Sequence, residues 1–367
     1  MPKWSDFGNV WTTLRELDVR AIRDEAERPV AIACIGHEAA LDEIDRLLHQ
    51  GNERYTVHAP SPLELIPLGR APERAASLRG ADMLLLAVDA REPLTEAEAN
   101  SFARLEELTI PFLVVLVFGE RRPAGDATLS PMIRARTVTI ADPAAIDAAD
   151  QLATAVLGRM PAEQHLAAAR RLPGLRPIFA RDLINNVSLT NATFAVASSL
   201  PEQIPVLSVP FVAADIVLLT KNQAIMVYRL ALAYGAPPEF QERIREVLPV
   251  IGGGFLWRQV ARSLVSLVPV WGVIPKVAIA YAGTYTTGVV AWRWFENGEI
   301  ISTEQLKRIS AEAIAIGRAR AAEIVERARA ARDSAVARSR AGGGAGAKLK
   351  KLVSFRRKPR ELTPPKQ

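Results

Sequence analysis

The sequence predicts an α/β domain built on a mainly parallel sheet, followed by an all-α apolar helical domain and a basic tail. Three observations carry this reading. Short apolar runs alternate with helical segments from Pro29 to Arg159, charged side chains become scarce from Leu183 to Trp292, and basic residues dominate the carboxy-terminal end. The 367 residues suit more than one domain. A hydrophobic content of 49% and a mean hydropathy of +0.09 are high for a soluble chain, yet too low for one filled with membrane spans. A soluble half joined to an apolar half fits both. The formal charge of +6 comes largely from the tail, so acidic partners are expected only there. The boundaries read as a helical lead over 1–28, the α/β domain over 29–160, the helical domain over 161–300, a long helix over 301–340 and a flexible tail over 341–367.

The elements follow in order. Val30 to Ile35 is an apolar run of strand length, and Glu38 to Gln50 places Leu41, Ile44, Leu47 and Leu48 on one helical face. Arg54 to His58 and Leu63 to Leu68 read as strands, with a helix around Pro72 to Leu78. Met83 to Val88 is apolar on both faces, as a central parallel strand requires. Thr95 and Glu98 form a capping box for a helix over Glu96 to Leu108, and Pro111 introduces a buried strand over Phe112 to Phe118. A strand over Arg136 to Ile140 and a helix over Pro143 to Leu157 complete the set.

Chemistry is sparse in this half. Cys34 is the only cysteine, which excludes an intrachain disulfide and a cysteine-rich zinc site and fits a reducing, cytoplasmic setting. His37, His49, His58 and His165 lack metal-binding spacings, so neither a metal nor a cofactor is expected. The first twenty residues carry no signal-peptide core, and export by that route is not expected.

The order of pieces, above all ADMLLLAVDAREPLTEAEANSFARLEELTIPFLVVLVFGE, resembles Era-like small GTPases, a P-loop fold. The nucleotide motifs are missing. A phosphate loop needs GxxxxGK[ST], whose glycines admit backbone amides to the phosphates while the lysine and hydroxyl serve charge and magnesium. Here Gly36 is followed by HEAALDE, which sets Leu41, Asp42 and Glu43 in the places of glycine, lysine and hydroxyl. His58 to Ser61 stands where DxxG belongs, and Val117 to Glu120 replaces NKxD. The domain therefore reads as a GTPase-like frame without hydrolysis. The alternative is nucleotide held by substitute residues in the crevice of such a sheet. Asp89, at the end of a buried strand, reads as a loop-capping residue.

The carboxy-terminal half is helical. An alanine-rich helix lies within Pro161 to Arg181, and LPGLRP is a proline and glycine break expected to mark a domain boundary. Leu183 to Pro201 carries no charge, but its asparagines, serines and threonines favour burial inside a helical domain over a simple span. Pro210 to Gly235 sets Asp215, Lys221, Asn222 and Gln223 into an apolar helical run, and this polar edge is expected to dock the helix on its neighbours or on a partner domain. No histidine, nucleophile or second carboxylate completes a catalytic set there, so no catalytic residue is assigned. Gly252 to Gly254 interrupt Val247 to Trp257 as a turn, and Pro269, Gly272 and Pro275 divide Ser263 to Trp292 into two helices. The second begins at Lys276 and ends in Trp292, Arg293, Trp294 and Phe295, a cluster of the kind that anchors a helix at a membrane interface. Ala280, Thr284 and Gly288 at four-residue spacing admit a close helix. Periodicity does not separate a membrane hairpin from a buried one. The uniformly positive charges from Val247 to Trp292 favour the membrane.

Pro210, Asp215, Asn222, Gln223, Met226, Tyr234 and Gly235, followed by the hairpin ending GTYTTGVVAWRWFENG, resemble the YcjF-type family, domain of unknown function 697, over about Leu183 to Gly298. The resemblance implies a bacterial protein at the cytoplasmic face of the inner membrane, often allied with Era-like GTPase domains. It implies no chemistry.

Ser302 and Gln305 form a capping box for a helix to about Arg340, with Leu306, Ile309, Ala313, Ile316 and Ile324 as a narrow apolar stripe packing on the domain. GGGAG at Gly342 to Gly346 leads into a basic tail. Leu349, Leu352, Val353 and Phe355 stand there among lysines and arginines, a composition suited to anionic lipid at roughly 1 kcal/mol per basic residue. Anionic lipid or inner membrane and an unidentified protein are the expected partners, while nucleic acid and GTP are not expected. The leading expectation is a non-catalytic, membrane-associated interaction or regulatory protein. The alternative is a nucleotide-dependent regulator with a nonstandard pocket.

Overall fold

In the computed structural model, the structure describes residues 18–52, 54–57, 59–70, 75–91, 110–119, 135–197, 208–239 and 273–341. The side chains of 75–77, 196–197, 208–218, 273–276, 324–325 and 327–341 lie outside the description. The expected helix over Glu96 to Leu108, the triple-glycine turn and the basic tail also lie outside it.

Five parallel strands form one sheet in the order β2-β1-β3-β4-β5: β1 Ile32–Gly36, β2 Leu63–Pro67, β3 Met83–Asp89, β4 Phe112–Val117 and β5 Thr137–Ile140. Alternate residues of the central strands face opposite cores. Cys34, Leu85 and Val115 enter one, and Ile35, Leu86 and Val114 the other. This two-sided burial is why β1, β3 and β4 read as unbroken apolar runs. α1 (Arg20–Glu27) precedes the sheet, α2 (Glu38–His49) follows β1, α3 (Ala75–Gly80) precedes β3, and α4 (Ala148–Arg159) follows β5.

Two expectations change here. Arg54 to Val57 form no strand. Tyr55 and Val57 instead lie against Gly235 of the helical layer, so close that an ideal Cβ on Gly235 would stand 2.9 Å from the Tyr55 carbonyl oxygen and from Val57. The helix expected from Pro143 begins at Ala148, because Asp142 first closes a turn, its Oδ1 accepting the Ala144 N–H at 2.9 Å and its carbonyl the Ala145 N–H at 3.0 Å.

The remaining helices are α5 (His165–Arg171), α6 (Arg176–Ala197), α7 (Ser208–Ala233), α8 (Val273–Asn297) and α9 (Thr303–Ala341). α8 packs against α6, α7 and α9. The capping box of α9 forms reciprocally, the Ser302 N–H donating to Gln305 Oε1 at 2.7 Å and the Gln305 N–H to Ser302 Oγ at 3.2 Å. Leu306, Ile309 and Ala313 are buried as the stripe requires.

One apolar core runs through both halves. It joins β1, β3 and β4 to α2 and α4, continues through Leu166 and Leu172, and reaches Leu230 of α7 and Phe295 of α8. The LPGLRP break is a 3₁₀ turn, Pro173–Leu175, buried against the end of α2, where an ideal Cβ on Gly174 would stand 2.2 Å from the Leu47 carbonyl oxygen. The α2–β2 connection lies at the amino ends of the strands. The helical layer meets that connection, and Arg181 of α6 also pairs with Asp150 at the start of α4, at 3.2 Å.

Candidate interaction sites

The crevice of a doubly wound sheet opens at the carboxyl ends of the strands where the order reverses, here between β1 and β3. Gly36 ends β1 so close to β3 that an ideal Cβ would stand 1.8 Å from the Ala87 carbonyl oxygen. His37 alone separates β1 from α2. HEAALDE therefore forms the start of a helix, where a phosphate loop would need an open turn. The His37 N–H donates to the Ala87 carbonyl at 3.0 Å, and its Nδ1 accepts the Asp89 N–H at 2.9 Å. Asp89 caps its loop as expected, Oδ1 accepting the Arg91 N–H at 3.0 Å, and pairs with the Arg91 guanidinium at 2.5 Å. The hydrogen bond from Arg91 holds the Asp89 carboxyl below the usual carboxylate range, against a smaller opposing effect of burial. Arg91 also lies over the Phe118 ring, 4.1 Å from its centroid. Phe118 has φ 65°, the left-handed region that a bulky residue rarely occupies. Among the described residues, the groups at the switch point thus bond to one another, His37 to Asp89 and Asp89 to Arg91.

The polar edge of α7 forms a second constellation. Asn222 Nδ2 donates to Asn191 Oδ1 at 2.7 Å, and Asn191 Nδ2 donates to Thr284 Oγ1 at 2.9 Å. Gln223 Nε2 reaches the same Thr284 Oγ1 at 3.2 Å, and that hydroxyl donates to the Ala280 carbonyl at 2.9 Å. Asn191 and Thr284 are fully buried. Asn222 and Gln223 thereby tie α7 to α6 and α8. Lys221 is exposed and stands apart from this network, and the side chain of Asp215 lies outside the described residues.

The aromatic end of α8 faces the sheet domain. Arg54 stacks on Trp294, 4.3 Å from its centroid, and its Nη1 donates to the Trp294 carbonyl at 2.5 Å. Trp292 is half-buried against the main core, and Arg293 pairs with Glu299 at 3.6 Å. The Lys276 side chain lies outside the described residues. Among the described residues no helix is long and apolar enough to cross a membrane, and no group of three or more histidine, cysteine or acidic side chains is placed to hold a metal ion. Burial raises the Cys34 thiol well above its ordinary value, so the thiolate is disfavoured.

Sequence reasoning missed three arginines that fasten the layers. Arg170 Nη1 donates to the carbonyls of Leu232 and Ala236 at the end of α7, at 2.7 and 2.8 Å. Arg171 reaches the carbonyls of Glu27 and Arg28 at the end of α1. Arg176, 3% exposed, donates to the carbonyls of Ala169, Arg170 and Asn52. Burial lowers the pKa of Arg170 and Arg171, but a guanidinium keeps its proton. The signal was the RRLPGLR run beside a break, since helix ends leave carbonyls that need donors.

No family model matches the chain, and no curated protein does.

Proposed function

We propose that this chain is a non-catalytic, membrane-associated interaction or regulatory protein, in which a GTPase-like frame without nucleotide motifs is coupled to a YcjF-type helical layer. One observation carries the reading: His37 accepts the Asp89 N–H across the switch point where a ligand of such a sheet would sit, and Arg91 pairs with the Asp89 carboxylate beside it. The strand order is one that doubly wound folds share. The GTPase-like identity therefore rests on the order of sequence pieces, and the YcjF-type identity on the run from Pro210 to Gly235 and the hairpin after it. Membrane association rests on the basic, apolar-studded segment after Gly346. Bacterial origin and the cytoplasmic face of the inner membrane follow from the same resemblance.

Flotation with vesicles containing anionic lipid tests the membrane part. The full chain is expected to float at low salt, and to float less at high salt or when residues 342–367 are removed. Recovery of the whole chain in the soluble fraction at low salt contradicts it.

A further inference from the structure

The end of α8 meets the sheet half at a corner that holds a carboxylate with no cation of its own. Glu296 stands in the last turn of α8, next to the fully buried Phe295. Its Oε1 accepts the Tyr234 hydroxyl, just past the end of α7, at 3.4 Å, which is long for a contact between two oxygens. Tyr234 is 2% exposed, and the Arg176 guanidinium lies 5.7 Å from its ring centroid. On the sheet side, Asp150 in the first turn of α4 adds a second negative charge that acts on Glu296.

The cations of this corner are committed elsewhere. Arg293, three residues back on α8, pairs with Glu299 at 3.6 Å, and Glu299 also accepts Gln305 Nε2 of α9 at 2.7 Å. Arg181 of α6 pairs with Asp150 at 3.2 Å. Arg176 donates to the carbonyls of Ala169, Arg170 and Asn52, and Arg54 to that of Trp294. Among the described residues, Glu296 therefore has no ion-pair partner. A carboxylate drawn out of water needs a cation or several good hydrogen bonds, and the neutral acid needs far less. Burial accordingly raises the Glu296 carboxyl above the ordinary carboxylate range, the Arg293 charge offsets part of that rise, and the Asp150 charge adds to it.

We infer that Glu296 is a proton-operated latch between the helical layer and the sheet half, closed when its carboxyl is neutral and loosened when it ionises. Its sign follows from where the proton binds more tightly. A carboxyl that is easier to protonate in the docked corner than in the open one favours docking below the ordinary carboxylate range, and that advantage is lost as pH climbs through the raised value. Opening at this corner therefore becomes easier from acid to neutral pH. The latch does not depend on membrane association.

Amide hydrogen exchange of the full chain from about pH 4.5 to about pH 7.5, with each rate normalised to the unstructured rate at that pH, tests the latch. Protection at residues 151–154, 231–236 and 292–298 is expected to fall severalfold as pH rises, since each unit of raised pKa is a factor of about ten. These amides are expected to exchange faster than those of β3 and β4 and to depend less on urea, because the corner opens by itself. E296Q is expected to keep the corner protected across the range. E299Q releases Arg293 to pair with Glu296, and it is expected to flatten the response while the carboxyl remains. Protection at the corner that ignores pH, a response that survives undiminished in E296Q or E299Q, or a corner that exchanges together with β3 and β4 at every pH overturns the inference.

Discussion

Asn191 is fully buried and bridges Asn222 of α7 to Thr284 of α8. N191A removes the acceptor of Asn222 and a donor to Thr284. It is expected to destabilise the protein by about 1–3 kcal/mol, read as a lower midpoint in urea at unchanged slope. An unchanged midpoint contradicts the network. Burial holds the Glu296 carboxyl above its ordinary range, outweighing the hydrogen bond from Tyr234. A carboxyl raised in the folded state weakens the fold once pH climbs through that raised value, and the penalty fades as pH falls below the ordinary carboxylate range. E296Q is uncharged throughout. Its unfolding midpoint is expected to exceed that of the wild type near neutral pH, with the gap closing toward about pH 4. A variant less stable than wild type at neutral pH refutes this. At this scale the docking role of Asn222 and Gln223 was legible, because uncharged amides inside an apolar helix need partners. Their partners Asn191 and Thr284 were not, since pairing across distant helices leaves no local pattern.

Gly288 lets α8 approach α6 closely, for an ideal Cβ there would stand 2.6 Å from Ile184 and 3.1 Å from Met226. The four-residue spacing of Ala280, Thr284 and Gly288 announced a close helix, and here it serves packing among α6, α7 and α8. G288L is expected to cost about 1–3 kcal/mol by overpacking, measured by denaturant unfolding. A neutral effect shows that the crossing yields. S302A removes one half of the α9 cap and is expected to cost about 1 kcal/mol by the same measurement. The capping box and central strands were legible because their signals are local. Arg54 to Val57 was misread for the converse reason. Tyr55, Thr56 and Val57 have strand propensity, but propensity yields to contacts with Gly235 and Trp294 that lie far away in sequence.

Phe295, fully buried at the end of α8, belongs to the same core as the β-strands. F295A is expected to cost about 3–5 kcal/mol and to lower the melting of sheet and helices together, in a single calorimetric transition. Two separated transitions contradict a shared core. The LPGLRP turn was legible from its proline and glycine. Its burial against α2 was not, because composition marks a break in the chain without showing whether solvent or another element fills it. The most direct measurement of the account's main claim is isothermal titration of the full chain with GTP, GDP and ATP in the presence of magnesium. A switch point at which His37 accepts the Asp89 N–H and Arg91 pairs with Asp89 predicts no saturable heat with any of them. Saturable one-to-one binding of any of the three contradicts it.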